Sequence, residues 1–155
     1  MHLPGRGRNV LKKPIDPGMH TAEHILNATM DRLFDCGRCF SAHIEKKKSK
    51  CDYHFDRALT PEELNEIESR VNRVILTNAN VTEAFITEAE AEKQFNLSRL
   101  PEGNTGEIRI VSVGDYDACP CIGPHVAETK EIGTFRITTS DFNDGVLRVR
   151  FKLDR

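Results

Sequence analysis

The sequence predicts an α+β fold, a single domain with helices packed on a mainly antiparallel sheet. Two segments repeat apolar residues at helical spacing, Met19 to about Phe34 and the stretch that follows Thr60. Several short runs alternate apolar and polar residues as half-buried strands do, most clearly Val146 to Leu153. No repeat, low-complexity tract or linker divides the 155 residues, a length that buries a core without disulfides or a metal staple.

Taken in order, residues 1–18 form a basic N-terminal arm and residues 19–155 the domain. Pro4, Pro14 and Pro17 interrupt the arm, so it is extended with at most a short strand. It is either a solvated tail or a phosphate-contacting arm, with Arg6, Arg8, Lys12 and Lys13 as the contacts. In the first helix Ala22, Ile25, Leu26, Met30 and Leu33 make one stripe, while His20, His24, Asn27 and Asp31 share another side. Phe40 to Ile44 and Cys51 to Phe55 flank a polar run and predict a hairpin with a basic tip. Its Lys46, Lys47, Lys48 and Lys50 either protect a sheet edge or grip phosphates.

Thr60-Pro-Glu-Glu63 combines a threonine cap, a proline at the first helical position and a capping-box glutamate, and Leu64, Ile67, Val71, Val74 and Ile75 supply the core stripe. A strand at Val81 to Ile86, a short helix at Thr87 to Phe95 and a loop from Asn96 to Gly106 follow. Beyond them the pattern predicts a strand at Glu107 to Val113, a loop from Gly114 to His125, and strands at Ile132 to Thr139 and Val146 to Leu153. The last strand has one dry face and one basic face, Arg148, Arg150 and Lys152 opposing Leu147, Val149, Phe151 and Leu153.

Charge and cysteine usage narrow the function. Twenty-two Lys and Arg face 24 Asp and Glu, so no global field marks a nucleic-acid binder and any polyanion contact comes from local patches. The five cysteines, an odd number without an apolar leader or a membrane-length apolar run, predict a reducing cytoplasm. They are expected as thiols or ligands.

The chemistry centres on His20-Thr-Ala-Glu-His24. Two imidazoles four residues apart leave one face of a helix one turn apart, which suits a single metal ion, although exposed helix histidines have the same spacing. Thr21 stands where a zinc protease carries its glutamate, so that reading is weak. Cys121-Ile-Gly-Pro-His125 adds a thiolate and a third imidazole, and together the two segments make a mixed N/S set suited to zinc. A minor alternative pairs Cys36-Gly-Arg-Cys39 with Cys119-Pro-Cys121 as a four-cysteine site, which leaves the histidines unexplained. Glu23 and Asp31 either orient ligands or water or are ordinary exposed carboxylates.

The joint pattern resembles the editing domain shared by alanyl-tRNA synthetases and the freestanding AlaX proteins, whose signature is His-Thr-Ala-x-His followed far downstream by Cys-x3-His. The likeness continues through His54-Phe-Asp56, Ala58 to Leu64 and His125 to Ile137. It implies His20, His24, Cys121 and His125 as zinc ligands, with Thr21 beside the aminoacyl group of the substrate. It further implies the editing-domain fold in its short form and a zinc-dependent aminoacyl-tRNA deacylase. The expected partner is the acceptor end of tRNA-Ala carrying serine or glycine. Where the family has Cys-Gly-Gly-Thr-His, this chain has Ile122 and Pro124, a bulkier wall without the hydroxyl. A glutamine that follows a His-Val pair in larger relatives is replaced after His43-Ile44 by Glu45 and Lys46. Four protein ligands also saturate a tetrahedral zinc. A non-catalytic zinc module that binds a tRNA acceptor end or a protein partner is therefore the competing expectation, and a zinc hydrolase of small esters or amides a third.

Overall fold

In a computed structural model the structure describes residues 15–97 and 106–155. Arg6, Arg8, Lys12 and Lys13, and most of the loop expected after Asn96, lie outside them.

Helix α1, Pro17–Phe34, begins two residues before the expected start. Asp16 caps it by accepting from the Met19 N–H at 3.0 Å, and Pro17 occupies the first turn, where its missing N–H costs nothing. Asp35, in the left-handed region at φ 52°, ends the helix by donating its N–H to the Asp31 carbonyl. Asp16 also accepts from Arg155 at 2.7 Å, which ties the helix start to the end of the chain.

The expected hairpin is present as β1, Ser41–Ile44, and β2, Ser49–His54. Helix α2, Pro61–Leu76, carries the predicted capping box, with the Thr60 hydroxyl accepting from Glu63 N–H and the Glu63 carboxylate accepting from Thr60 N–H. Strand β3, Val81–Thr87, helix α3, Glu88–Gln94, and strand β4, Glu107–Val113, fall where the pattern placed them. The expected loop from Gly114 to His125 is corrected: Asp117–Pro120 is a strand, β5, antiparallel to β4. Four residues containing a proline at the end carry too little alternation to be seen in sequence. A 3-10 turn at Thr129–Ile132 displaces the next strand, so β6 spans Thr134–Asn143 and β7 spans Val146–Asp154.

Two antiparallel sheets result, one ordered β1-β2-β7-β6 and one ordered β3-β4-β5. The inner face of the larger sheet, with Cys51, Tyr53, Leu147, Val149, Phe151 and Phe135, packs against α1 and α2. A smaller core of Ala91, Ile108 and Ile110 joins α3 to the other sheet. Helix α1 is more enclosed than its single stripe predicted. Every residue from Gly18 to Met30 is buried, His20, Thr21, Glu23, His24, Asn27 and Thr29 included. The smaller sheet and the segment after it cover the histidine side.

A polar residue at such depth must be satisfied. Asn27 accepts from the Tyr53 hydroxyl at 2.8 Å and from the Cys39 N–H at 3.1 Å through the same Oδ1. Replacing Asn27 with Ala strands two buried donors, which costs about 2–4 kcal/mol, whereas Tyr53→Phe removes one donor and costs about 1 kcal/mol. Chemical denaturation of the two variants measures that difference, and equal midpoints would show that the amide does not join the two groups.

Candidate metal centre

His20 and His24 project from α1 one turn apart, and the segment after β5 brings Cys121 and His125 to them. One ligand atom from each of these four residues lies within 4.8 Å of the others. His20 and His125 stack with ring centroids 4.0 Å apart, and His24 meets both rings edge-on at 5.0 and 4.6 Å. His125 Nε2 lies 3.3 Å from Cys121 Sγ. The two halves of the sequence pattern thus converge.

The outward nitrogens decide whether this set fits a metal. His20 Nδ1 lies 3.0 Å from the Pro124 carbonyl, which can only accept, so Nδ1 carries the proton and Nε2 keeps its lone pair. The Thr21 hydroxyl donates to the Pro17 carbonyl at 3.0 Å and therefore accepts from His125 Nδ1 at 2.8 Å, which leaves His125 Nε2 as the ligand atom. His24 Nδ1 is buried without a well-formed hydrogen bond, but stands 3.4 Å from Asp117 Oδ2. Two imidazoles fixed from behind by hydrogen bonds, a third set against a carboxylate, and one thiol among them make a donor set that suits a zinc ion.

Each outer partner is itself fixed. Asp117 accepts a two-pronged ion pair from Arg38 at 2.7 and 3.1 Å. Burial pushes its carboxyl up, but the Arg38 ion pair and the nearby His24 outweigh it and hold the group below the usual range. Arg109 donates to the Gly123 carbonyl at 2.8 Å and to the Cys121 carbonyl at 3.4 Å, so β4 grips the ligand loop from below. Gly123 has φ 112°, and a Cβ there would meet His20 Cε1 at 3.2 Å. Glycine is needed both for the turn and for the close approach to the ring.

Burial, then the facing His20 and His24, pushes the His125 pKa down to about 2, and burial also lowers that of His20. His20 and His125 are therefore held towards the neutral form, the form that ligates. Burial pushes the Cys121 thiol up to about 12 in the absence of a cation.

Several sequence expectations change in detail. Thr21 was expected beside a substrate, yet it is 0% exposed, and its hydroxyl also accepts from the Val126 N–H at 3.2 Å. One proton and two lone pairs are then all used, so Thr21 holds His125 in place. Glu23 is no exposed helix carboxylate: it is buried and accepts from the Cys39 thiol at 3.5 Å. The four-cysteine alternative is not formed, because Cys36 bonds to the Met30 and Gly37 carbonyls while Cys121 joins the histidines. None of the five cysteines is in a disulfide. Lys46, Lys47 and Lys48 are exposed at the hairpin turn, while Lys50 is half-buried opposite Arg150. Asp117, Arg38 and Arg109 escaped the sequence reading because nothing in their spacing links them to a histidine. Gly123 was visible inside the Cys-x3-His loop, although its contact with His20 was not.

A small α+β domain with a partly buried cluster of three histidines and one cysteine is the class that fold and site define. Residues 108–150 match the threonyl and alanyl tRNA synthetase second additional domain. The chain is 35% identical over 138 residues to an alanine–tRNA ligase of Aeropyrum pernix, and 32% identical over 138 residues to one of Rickettsia massiliae. A Coxiella burnetii alanine–tRNA ligase is 32% identical over 121 residues. These alignments cover 85%, 84% and 77% of this chain but only 15%, 15% and 14% of the relatives. The chain belongs to the family of these tRNA synthetase second additional domains. No helix among the described residues is long and apolar enough to cross a membrane.

Loading a metal displaces the Cys121 proton, so affinity should rise about tenfold per pH unit below the thiol pKa. Asp117→Asn removes the charge behind His24 and should weaken metal binding by about 10–100-fold. Competition with a chromophoric chelator across pH reads both effects, and an Asp117→Asn affinity equal to wild type would detach the carboxylate from the centre.

Proposed function

We propose that the chain is a hydrolase that deacylates mischarged tRNA, with Ser-tRNA-Ala or Gly-tRNA-Ala as substrate. His20, His24, Cys121 and His125 hold Zn2+. The observation that carries the reading is the convergence of these donors from two segments roughly a hundred residues apart, each imidazole held behind its ligating nitrogen. Kinship with synthetase domains supplies the tRNA.

The reaction asks for little, since an aminoacyl ester is already activated by its α-ammonium. Bound zinc supplies Lewis-acid stabilisation of developing oxygen charge or a fixed anchor for the substrate. The chain's own residues do the rest. Thr21 locks the orientation of His125, Asp117 holds His24 from behind, and Gly123 lets the ligand loop press on His20. Exposed Ile122 lies on the same loop and borders the approach, which makes the Ile122-Gly-Pro124 wall the place to look for amino-acid selectivity. Glu23 contributes negative charge that favours the protonated form of His20.

A second reading rests on the same geometry. Four protein donors fill a tetrahedral zinc, as in structural sites, and favour a non-catalytic module that binds the tRNA acceptor end. A panel of mischarged tRNAs, each beside its correctly charged form, separates the two. Release of serine or glycine from tRNA-Ala far faster than alanine supports the hydrolase, and tight binding without release supports the module. Thr21→Val should slow seryl and glycyl ester hydrolysis alike, by ~1–2 kcal/mol, because what it loses is the support of His125. A selective loss on the seryl ester would return the hydroxyl to the substrate.

Arg6, Arg8, Lys12, Lys13, Lys46, Lys47, Lys48 and Lys50 are the proposed phosphate contacts. Lys46→Ala/Lys47→Ala/Lys48→Ala should weaken tRNA binding and lower the slope of log affinity against log salt by up to about 2, at roughly 0.7 per contact. An unchanged slope would remove the hairpin tip from the interface.

A further inference from the structure

The histidine centre does not absorb every metal-ligating side chain. Glu23 on α1, Cys39 ahead of β1 and Cys51 on β2 offer one carboxylate oxygen and two sulfurs, all within 4.8 Å of one another. Their exposures are 5%, 1% and 0%. Cys39 donates its thiol proton to Glu23 at 3.5 Å, and its backbone N–H is fixed by Asn27. Buried cysteines alone behave as small apolar residues. A glutamate, in contrast, is almost never placed fully inside a core unless it is paired or ligating. Thiolate sulfurs with one carboxylate oxygen are the donors a thiophilic cation selects.

We propose that Glu23, Cys39 and Cys51 form a second metal site, separate from the histidine centre, which binds one thiophilic d10 cation of the Zn2+ class. On loading, each thiol passes its proton to solvent, and two thiolates and a carboxylate surround a dication with one negative charge in excess. Arg38, next to Cys39 in the chain and paired with Asp117, also lies within electrostatic reach of Glu23 and reduces the cost of that excess. Cys39 is the one donor outside a helix or strand. The segment it sits in, with left-handed turns at Asp35 and Gly37, is the way in for the ion.

The test is a Cd2+ titration of the full chain after chelator stripping, followed by native mass spectrometry and cadmium NMR. Wild type should bind two Cd2+ and give two resonances, the one from the two-sulfur site further downfield. Cys39→Ala/Cys51→Ala should bind one and lose the downfield resonance, and His20→Ala/Cys121→Ala should show the reverse. Should the double alanine variant fail to fold, Glu23→Gln keeps the volume and both thiols, and should weaken the second equivalent by about tenfold or more. A wild-type chain that binds a single Cd2+ overturns the proposal. So does a second equivalent that the Cys39, Cys51 and Glu23 variants leave unchanged.

Discussion

A helix buried on every side sets the terms for the rest of the molecule. From Gly18 to Met30 α1 has no wet face, yet it carries two imidazoles, two threonines, an amide and a carboxylate. Each buried polar group left unsatisfied costs about 1–3 kcal/mol, so the surrounding elements must bring it a partner. Thr29 meets the Tyr116 hydroxyl at 2.6 Å, Asn27 meets Tyr53, and Thr21 meets His125 and Val126. The fold around α1 is in this sense an answer to its polar residues as much as to its apolar ones.

The same contacts aim the ligand loop. Tyr116 stacks beneath Arg32, whose guanidinium lies 4.0 Å from the ring centre and donates to the Tyr116 carbonyl at 2.6 Å. That fixes the turn between β4 and β5 against the far half of α1 and leaves Asp117, the next residue, facing His24. Three residues further on, β5 ends and Arg109 takes over the grip on the loop carbonyls. Residues in one such network couple by about 0.5–3 kcal/mol, so a change at Tyr116 is felt at the metal centre although it touches no ligand.

Much of this was legible in sequence, for physical reasons that also mark its limits. Local signals were sufficient for α2, because Thr60-Pro61 and Glu63 write a capping box into four adjacent residues, and for β7, whose alternation runs its full length. The four candidate ligands could be picked out because helical spacing and a short loop each leave a fixed signature. What escaped depends on contacts far apart in the chain. Arg38 and Asp117 are 79 residues apart, and Thr21 and His125 are 104 apart. The saturation of the Thr21 hydroxyl could not be foreseen from its place in the motif, since two of its three partners lie in the ligand loop. Strand β5 escaped because its four residues hold too little pattern, and the choice for Glu23 between a site role and an exposed carboxylate stayed open because the cover over its side of α1 is tertiary.

The restraint on the three imidazoles is uneven. His20 and His125 are held by hydrogen bonds of 3.0 and 2.8 Å to a carbonyl and a hydroxyl that are themselves fixed. His24 has only the 3.4 Å approach to Asp117, whose two oxygens are both engaged by Arg38. A carboxylate that divides its lone pairs between a guanidinium and an imidazole holds the weaker donor less firmly. His24 is therefore the imidazole least restrained by hydrogen bonds, and Arg38 already balances the carboxylate behind it. The ordering of the three histidines follows from the partners behind them, so side chains and carbonyls outside the candidate ligand set decide how firmly each imidazole is held.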